Sequence, residues 1–199
     1  MTIEWPHEDE RLFQLKDDYQ NNACLTPYWS SLSRYGENYK DAADTLVTSA
    51  INGDTYVDTV VYPAVFLYRQ YLELTLKDII LRTRRIEHDG RGFPKTHNLR
   101  GLWAETKRLL QKHYRYDCPR EIEYLDRCFD EFHEHDPDSM AFRYPFDKSG
   151  NRHLMNLSHI NVRHLMETMG RLANFLSCIA TDIDEHLQSC LEIESEYRP

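Results

Sequence analysis

Arg69, Glu73 and Lys77 recur at every fourth residue inside an otherwise apolar and aromatic segment, YPAVFLYRQYLELTLKDIILRTRR, residues 62–85. At about 100° of turn per residue, a helix would gather Arg69, Gln70, Glu73, Lys77 and Arg84 into one sector about 100° wide. Such a stripe has two readings. In water it is an ordinary salt-bridged surface, in which each pair adds a few tenths of a kcal/mol. Out of water, the charges must pair with one another or line a wet cleft. A second feature bears on the choice. Residues 136–157, DPDSMAFRYPFDKSGNRHLMNL, show no helical or strand period and are long for a connection. They carry Arg143 and Tyr144 between Phe142 and Phe146. The planar fork of an arginine can bridge a carboxylate and a phosphate together. Arg69, Glu73 and Lys77 are therefore expected to form one polar network with Arg143 and with Tyr144 or His97. With Gln70 on the same sector, these are the candidate ligand-binding residues.

Other arrangements with chemical potential are weaker. His133 and His135, beside Asp136 and Asp138, invite a metal reading. Residues two apart on a helix point away from each other, and the chain has neither an H-E-x-x-H motif nor a zinc-type Cys/His spacing. No metal or other cofactor is expected. A nucleophile elbow of the G-x-S-x-G type is also missing. Residues 82–100 hold Arg82, Arg84, Arg85, Arg91, Lys95 and Arg100 against Glu87 and Asp89. This run is either a phosphate-facing patch or a helix C-terminus whose cations complement its dipole.

The bulk of the chain limits what can position these groups. Its 199 residues suit one domain with an ample core. A net charge of −9 argues against broad, non-specific nucleic-acid binding, but leaves room for a local basic site. The 5 cysteines are scattered without a C-x-x-C, as in reduced intracellular proteins. The first residues are acidic and lack an apolar core of the secretory type. No apolar run is long enough to span a membrane. The expected location is the cytoplasm.

Helical periods appear over residues 37–51 and from about 58–62 to 87, where Pro63 is expected in the first turn. Further helices are expected from about 97–99, over 119–135, and from 158 onward. The last carries a seam from Val162 to Leu187, which at about 30 residues is roughly 45 Å long. That is more apolar surface than one bundle needs, so a homodimer is expected. Asn52 and Gly53 are set to end the first helix, with the glycine in a left-handed cap. A hairpin is expected around residues 147–151. Residues 1–36 read as an arm with a short helix over 8–18, packed on the bundle by Trp5, Phe13, Tyr19, Tyr28, Trp29 and Tyr35. Residues 37–190 form the helical domain, and 191–199 form an acidic tail in which the last helix frays. The fold expected is all-α: an up-and-down bundle of about five main helices with a long loop before the last.

The motifs YPAVFLYRQYLELTLK, HNLRGLW and FRYPFDKSGN resemble those of bacterial helical proteins of the HEPN superfamily (higher eukaryotes and prokaryotes nucleotide-binding), over roughly residues 37–186. The resemblance implies a helical bundle, often dimeric. It also implies a place in a toxin–antitoxin or phage-defence system, with a partner protein encoded nearby. Many such proteins are metal-independent endoribonucleases, and others bind RNA or nucleotides or are inactive partners. The superfamily's catalytic pattern is an arginine followed by a histidine after four to six residues. The histidine acts on the ribose 2′-hydroxyl and the arginine offsets charge on the phosphate. The pattern occurs at Arg82–His88, Arg91–His97, Arg108–His113, Arg127–His133 and Arg152–His159. The resemblance favours Arg152 and His159, which precede the last helix. The leading expectation is metal-independent RNA cleavage or nucleotide recognition. The alternative is a non-catalytic, dimeric binding or regulatory module that uses the same groove.

Overall fold

Ser31 starts the helical part of the chain, because its hydroxyl accepts a hydrogen bond from the Arg34 amide (3.2 Å) and caps the first helix. The computed structural model describes residues 5, 11–25, 31–114 and 118–196, the side chains of 194 and 196 excepted. Among these residues the structure is all-α. The helices are α1 (Leu32–Ile51), α2 (Val57–Ile86), α3 (Leu99–His113), α4 (Pro119–His135) and α5 (Val162–Glu196). No helix among the described residues is long and apolar enough to cross a membrane.

The chain divides into two units, Met1–Ser30 and Ser31–Pro199. In the first, a single 3-10 turn covers Tyr19–Asn21. It is flanked by the Asn22 amide, which bonds both main-chain groups of Lys16 (2.7 and 3.1 Å). The short helix expected over 8–18 is not formed in its described part, 11–18. Asp17, Asp18, Asn21 and Asn22 favour turns by bonding nearby backbone, and they win over a weak helical period. Tyr28 and Trp29 lie outside the described residues.

The second unit is organised around α2. Tyr68, Leu72, Leu76, Ile79 and Ile80 are fully buried at its centre. Around them pack Ala43 and Val47 of α1, Leu102 and Leu109 of α3, Leu125 and Phe129 of α4, and the α5 seam from Met169 to Ile183. The α1 helix ends as its composition predicts. Gly53 is left-handed (φ 84°), and the Asp54 amide reaches back to the Ser49 carbonyl (2.9 Å). Pro63 departs from expectation: α2 begins at Val57, so the proline sits well inside the helix rather than in its first turn. Pro63 and Thr59 are both exposed, so the Thr59 carbonyl left without its usual helical donor faces water. The last helix does not stop at the acidic stretch; it continues through Glu196.

Two connections decide where side chains meet. Residues 87–98 carry the chain back along α2. Arg84 lies by Gly92 and Arg69 by His97, while farther along α3 the pairs are Arg84–Glu105 and Glu87–Lys112. The α3 helix therefore runs in the same direction as α2. The clamp at its end is pH-sensitive. Lys112 and His113 both bond one oxygen of Glu87 (2.5 and 2.7 Å). These bonds pull the Glu87 carboxyl from its ordinary 4.5 down to about 2. A depressed carboxylate contributes stability that is complete above pH 4.5 and lost as the pH falls toward 2. In urea unfolding, the advantage of wild type over Glu87→Gln should shrink as the pH falls from 4.5 toward 2. An advantage that grew over that range would contradict the clamp.

The other connection, residues 136–161, is far longer than its task requires. Asp136 at its start pairs with Arg69 of α2, while Val65 of α2 borders a cavity with Leu165 and Met169 of α5. Both ends of the loop thus lie beside the same stretch of α2, and the residues between are an excursion.

Candidate functional site

Helical spacing alone brings Arg69, Glu73 and Lys77 onto one face, and the structure buries all three. Glu73 is the hub. Its Oε1 accepts from Lys77 Nζ (2.8 Å) and meets His97 Nδ1 (2.9 Å), and its Oε2 accepts from Arg69 Nη1 (3.3 Å). Arg69 is fully buried and donates Nη2 to the His97 carbonyl (2.7 Å) and Nε to the Asp136 carbonyl (3.3 Å). Its Nε also lies 3.1 Å from Asp136 Oδ2. Burial lowers the pKa of Arg69, and the carboxylates of Asp136 and Glu73 oppose that shift. Lys77 Nζ stands 5.7 Å from the Phe93 ring centre, which ties the 87–98 loop down a second time.

His97 joins this network as expected, whereas Arg143 and Tyr144 do not. The loop residue that reaches the cluster is instead Asp136, a carboxylate paired with Arg69. The Asp136 carboxylate faces Arg69 with one oxygen and accepts the Met140 and Ala141 amides with the other (2.6 and 2.8 Å). Those bonds hold a turn in which Ser139 is left-handed (φ 62°). The turn sends Arg143 outward, where its guanidinium lies over Phe66 (5.5 Å) and Tyr144 (5.2 Å). Gln70 is half-buried and has no hydrogen bond among the described residues. Among the described residues, Arg69, Glu73 and Lys77 are buried and bond one another, His97, and Asp136. The basic run is likewise internally paired at most positions: Arg82 with Asp78 and Asp184, Arg84 with Glu105, Arg91 with Asp89, and Arg100 with Asp130.

The remaining candidates meet elsewhere. A cleft of about 670 Å³ opens between the first turns of α2 and the excursion loop. Arg143, Tyr144, Arg152 and His159 all border it. The hairpin expected at its edge is present as one antiparallel bridge, Phe146 to Arg152. Asp147 makes the turn: its Oδ1 accepts the Ser149 and Asn151 amides (both 2.8 Å), and Gly150 is left-handed. The Asn151 side chain, bonded to the other oxygen, is the main cause of a lowered Asp147 pKa. The bridge sets Arg152 opposite Phe146, with the guanidinium 5.9 Å from the ring centre. His159 Nδ1 shares a hydrogen bond with Ser158 Oγ (3.1 Å), and its Nε2 has no partner among the described residues.

Phe146 and Tyr62 also line the cleft, and motif reading missed their part in it. Hairpin pairing was the available signal for Phe146, since a turn over 147–151 sets it opposite Arg152. Nothing local marks Tyr62, which comes from another element. Among the described residues, no three His, Cys, Asp or Glu side chains stand close enough to hold a metal ion.

No protein-family model, curated protein or solved structure matches the chain.

Proposed function

We propose that the cleft binds single-stranded RNA or a nucleotide, and that Arg152 and His159 cleave RNA there without a metal. One observation carries the reading. In a chain of net charge −9, the cleft collects Arg143, Arg152, His153 and His159 against one carboxylate, Asp58. Exposed aromatic rings, Tyr62, Tyr144 and Phe146, stand among these groups. Cations that follow a phosphate backbone, interleaved with rings on which bases stack, are the usual means of binding a single strand. The resemblance to HEPN proteins supports a role in a bacterial defence or toxin system.

The chemistry needs no co-reactant. Unbonded Nε2 of His159 takes the proton of a ribose 2′-hydroxyl. The 2′-oxygen bonds to the adjacent phosphorus, and the bond to the 5′-oxygen breaks. A proton from water or from His153 goes to that leaving oxygen. Arg152 offsets the charge that builds on the phosphate. The products are a 2′,3′-cyclic phosphate and a free 5′-hydroxyl.

A second reading, a non-catalytic binding module, is favoured by one detail. Among the described residues, His159 is oriented only by the Ser158 hydroxyl, with no carboxylate behind it. Binding of a labelled oligoribonucleotide separates RNA recognition from its absence. Arg152→Ala and Arg143→Ala should each weaken binding and flatten its salt dependence, by about 0.7 in the log–log slope for each phosphate that is no longer neutralised. Binding indifferent to both variants and to salt would overturn the reading. Cleavage should persist in EDTA; a requirement for added divalent metal would point to a metal-dependent hydrolase instead.

A further inference from the structure

A second cavity, of about 260 Å³, adjoins the cleft. Its walls are apolar: Phe132 of α4, Phe142 of the loop, Val65 of α2, and Leu165, Met169 and Leu172 of α5. The rim is polar, with His135, Asn161, His164 and one exposed carboxylate, Glu131. Asn161 uses its side-chain oxygen to accept the His164 amide (2.9 Å), which leaves its amide nitrogen free to donate. The slot and the cleft are neighbours, because Phe142, Leu157, His159 and Ile160 border both. His159 therefore stands at the junction of a cationic cleft and an apolar slot.

We infer that the slot is a nucleobase subsite, seating one base of the ligand whose phosphate lies against Arg143 and Arg152. The inference rests on the reading of the cleft as a phosphate-binding surface. A nucleotide has the chemistry that matches the sequence of surfaces. Its phosphate meets the arginines and its ribose falls at the junction beside His159. The two faces of its base are covered by Phe132, Phe142 and Met169, and the polar edge of the base reaches Asn161 and the rim histidines. Burying apolar faces while leaving the edge at a polar rim avoids stranding its donors and acceptors. The occupant of the slot is then the base of the nucleotide whose 2′-hydroxyl meets His159, so the slot selects the residue on the 5′ side of the broken bond.

Calorimetric titration of the full chain with the 3′-monophosphates of adenosine, guanosine, cytidine and uridine, and with ribose 3-phosphate, tests this, because the phosphate at Arg152 is the one 3′ to the seated base. At least one nucleotide should bind about tenfold or more tighter than ribose 3-phosphate, the base supplying the difference. Thr168→Trp, at the half-buried rim on α5, should fill the slot. It should abolish that preference while changing ribose 3-phosphate affinity less than about twofold. Leu165→Phe, read the same way, replaces it if melting shows that Thr168→Trp does not fold. No preference for a base in wild type, or a preference that survives slot filling in a folded variant, overturns the inference. The phosphate-free nucleosides separate the two readings. If a nucleoside binds and slot filling blocks it while ribose 3-phosphate does not bind, the slot stands and the phosphate reading of the cleft fails. If neither nucleosides nor nucleotides bind, the subsite is refuted.

Discussion

Glu73→Ala is expected to destabilise the helical unit by about 3–5 kcal/mol, which is the effect of removing one partner from a buried ion pair. The reason is the geometry of the hub. Glu73 is the shared partner of Arg69 and Lys77, with Arg69 fully buried and Lys77 6% exposed. Without the carboxylate, Lys77 retains only the face of Phe93, and Arg69 retains Asp136 and two carbonyls. In a domain of this size the loss should appear as a fall in Tm of roughly 6–20 °C. Coupling should be visible as well. Glu73→Ala/Lys77→Ala should cost less than the sum of the single changes, by about 0.5–3 kcal/mol, because the second removes a cation that the first has stranded. An unchanged Tm in Glu73→Ala would mean that the stripe is not a structural cluster. The two loops would then need another anchor, since His97 and Asp136 dock on the same arginine.

His159→Ala should reduce metal-independent RNA cleavage by about 10²–10⁴-fold, the range for loss of a general acid or base. The ring is exposed and bonds only Ser158, so the variant should melt with wild type. Single-turnover cleavage in EDTA is the appropriate readout, because it excludes product release and any metal contaminant. Arg152→Lys should not restore full rate to that position, since an ammonium cannot reproduce the bidentate fork of a guanidinium on a phosphate. Cleavage undiminished in His159→Ala would remove this histidine from the mechanism. Undiminished RNA binding with no cleavage by wild type would favour the non-catalytic module.

The helices were legible in the sequence because amphipathic period is a local property. Met169, Leu172, Leu176, Ile179 and Ile183 are spaced to form one seam, and they are buried in the core. The cap at Gly53 was legible for the same reason: only residues within one turn take part. The buried stripe was legible in part. Arg69, Glu73 and Lys77 meet through i, i+4 geometry, so their pairing needs no knowledge of the fold. Whether water covers that face is another matter. Its burial depends on the 87–98 loop doubling back and on α4 ending at Asp136, and no residue near position 70 records either event. Asp136 lies 67 residues from Arg69, and nothing local marks this carboxylate, rather than the nearby Arg143, as the loop residue that reaches the cluster.

The cleft shows the division most clearly. Residue types advertised a site along 142–159: arginines, aromatics, histidines and a loop without a period. Two facts about it came from packing. The Asp136 turn aims Arg143 away from the cluster, over Phe66, and the Phe146–Arg152 bridge brings Arg152 into the same cleft as His159. Helix period, turn chemistry and capping follow from neighbours along the chain, so one-dimensional order determines them. Burial of a charge and convergence of distant side chains depend on the path of the loops through space, which is set by all of the packing interactions at once.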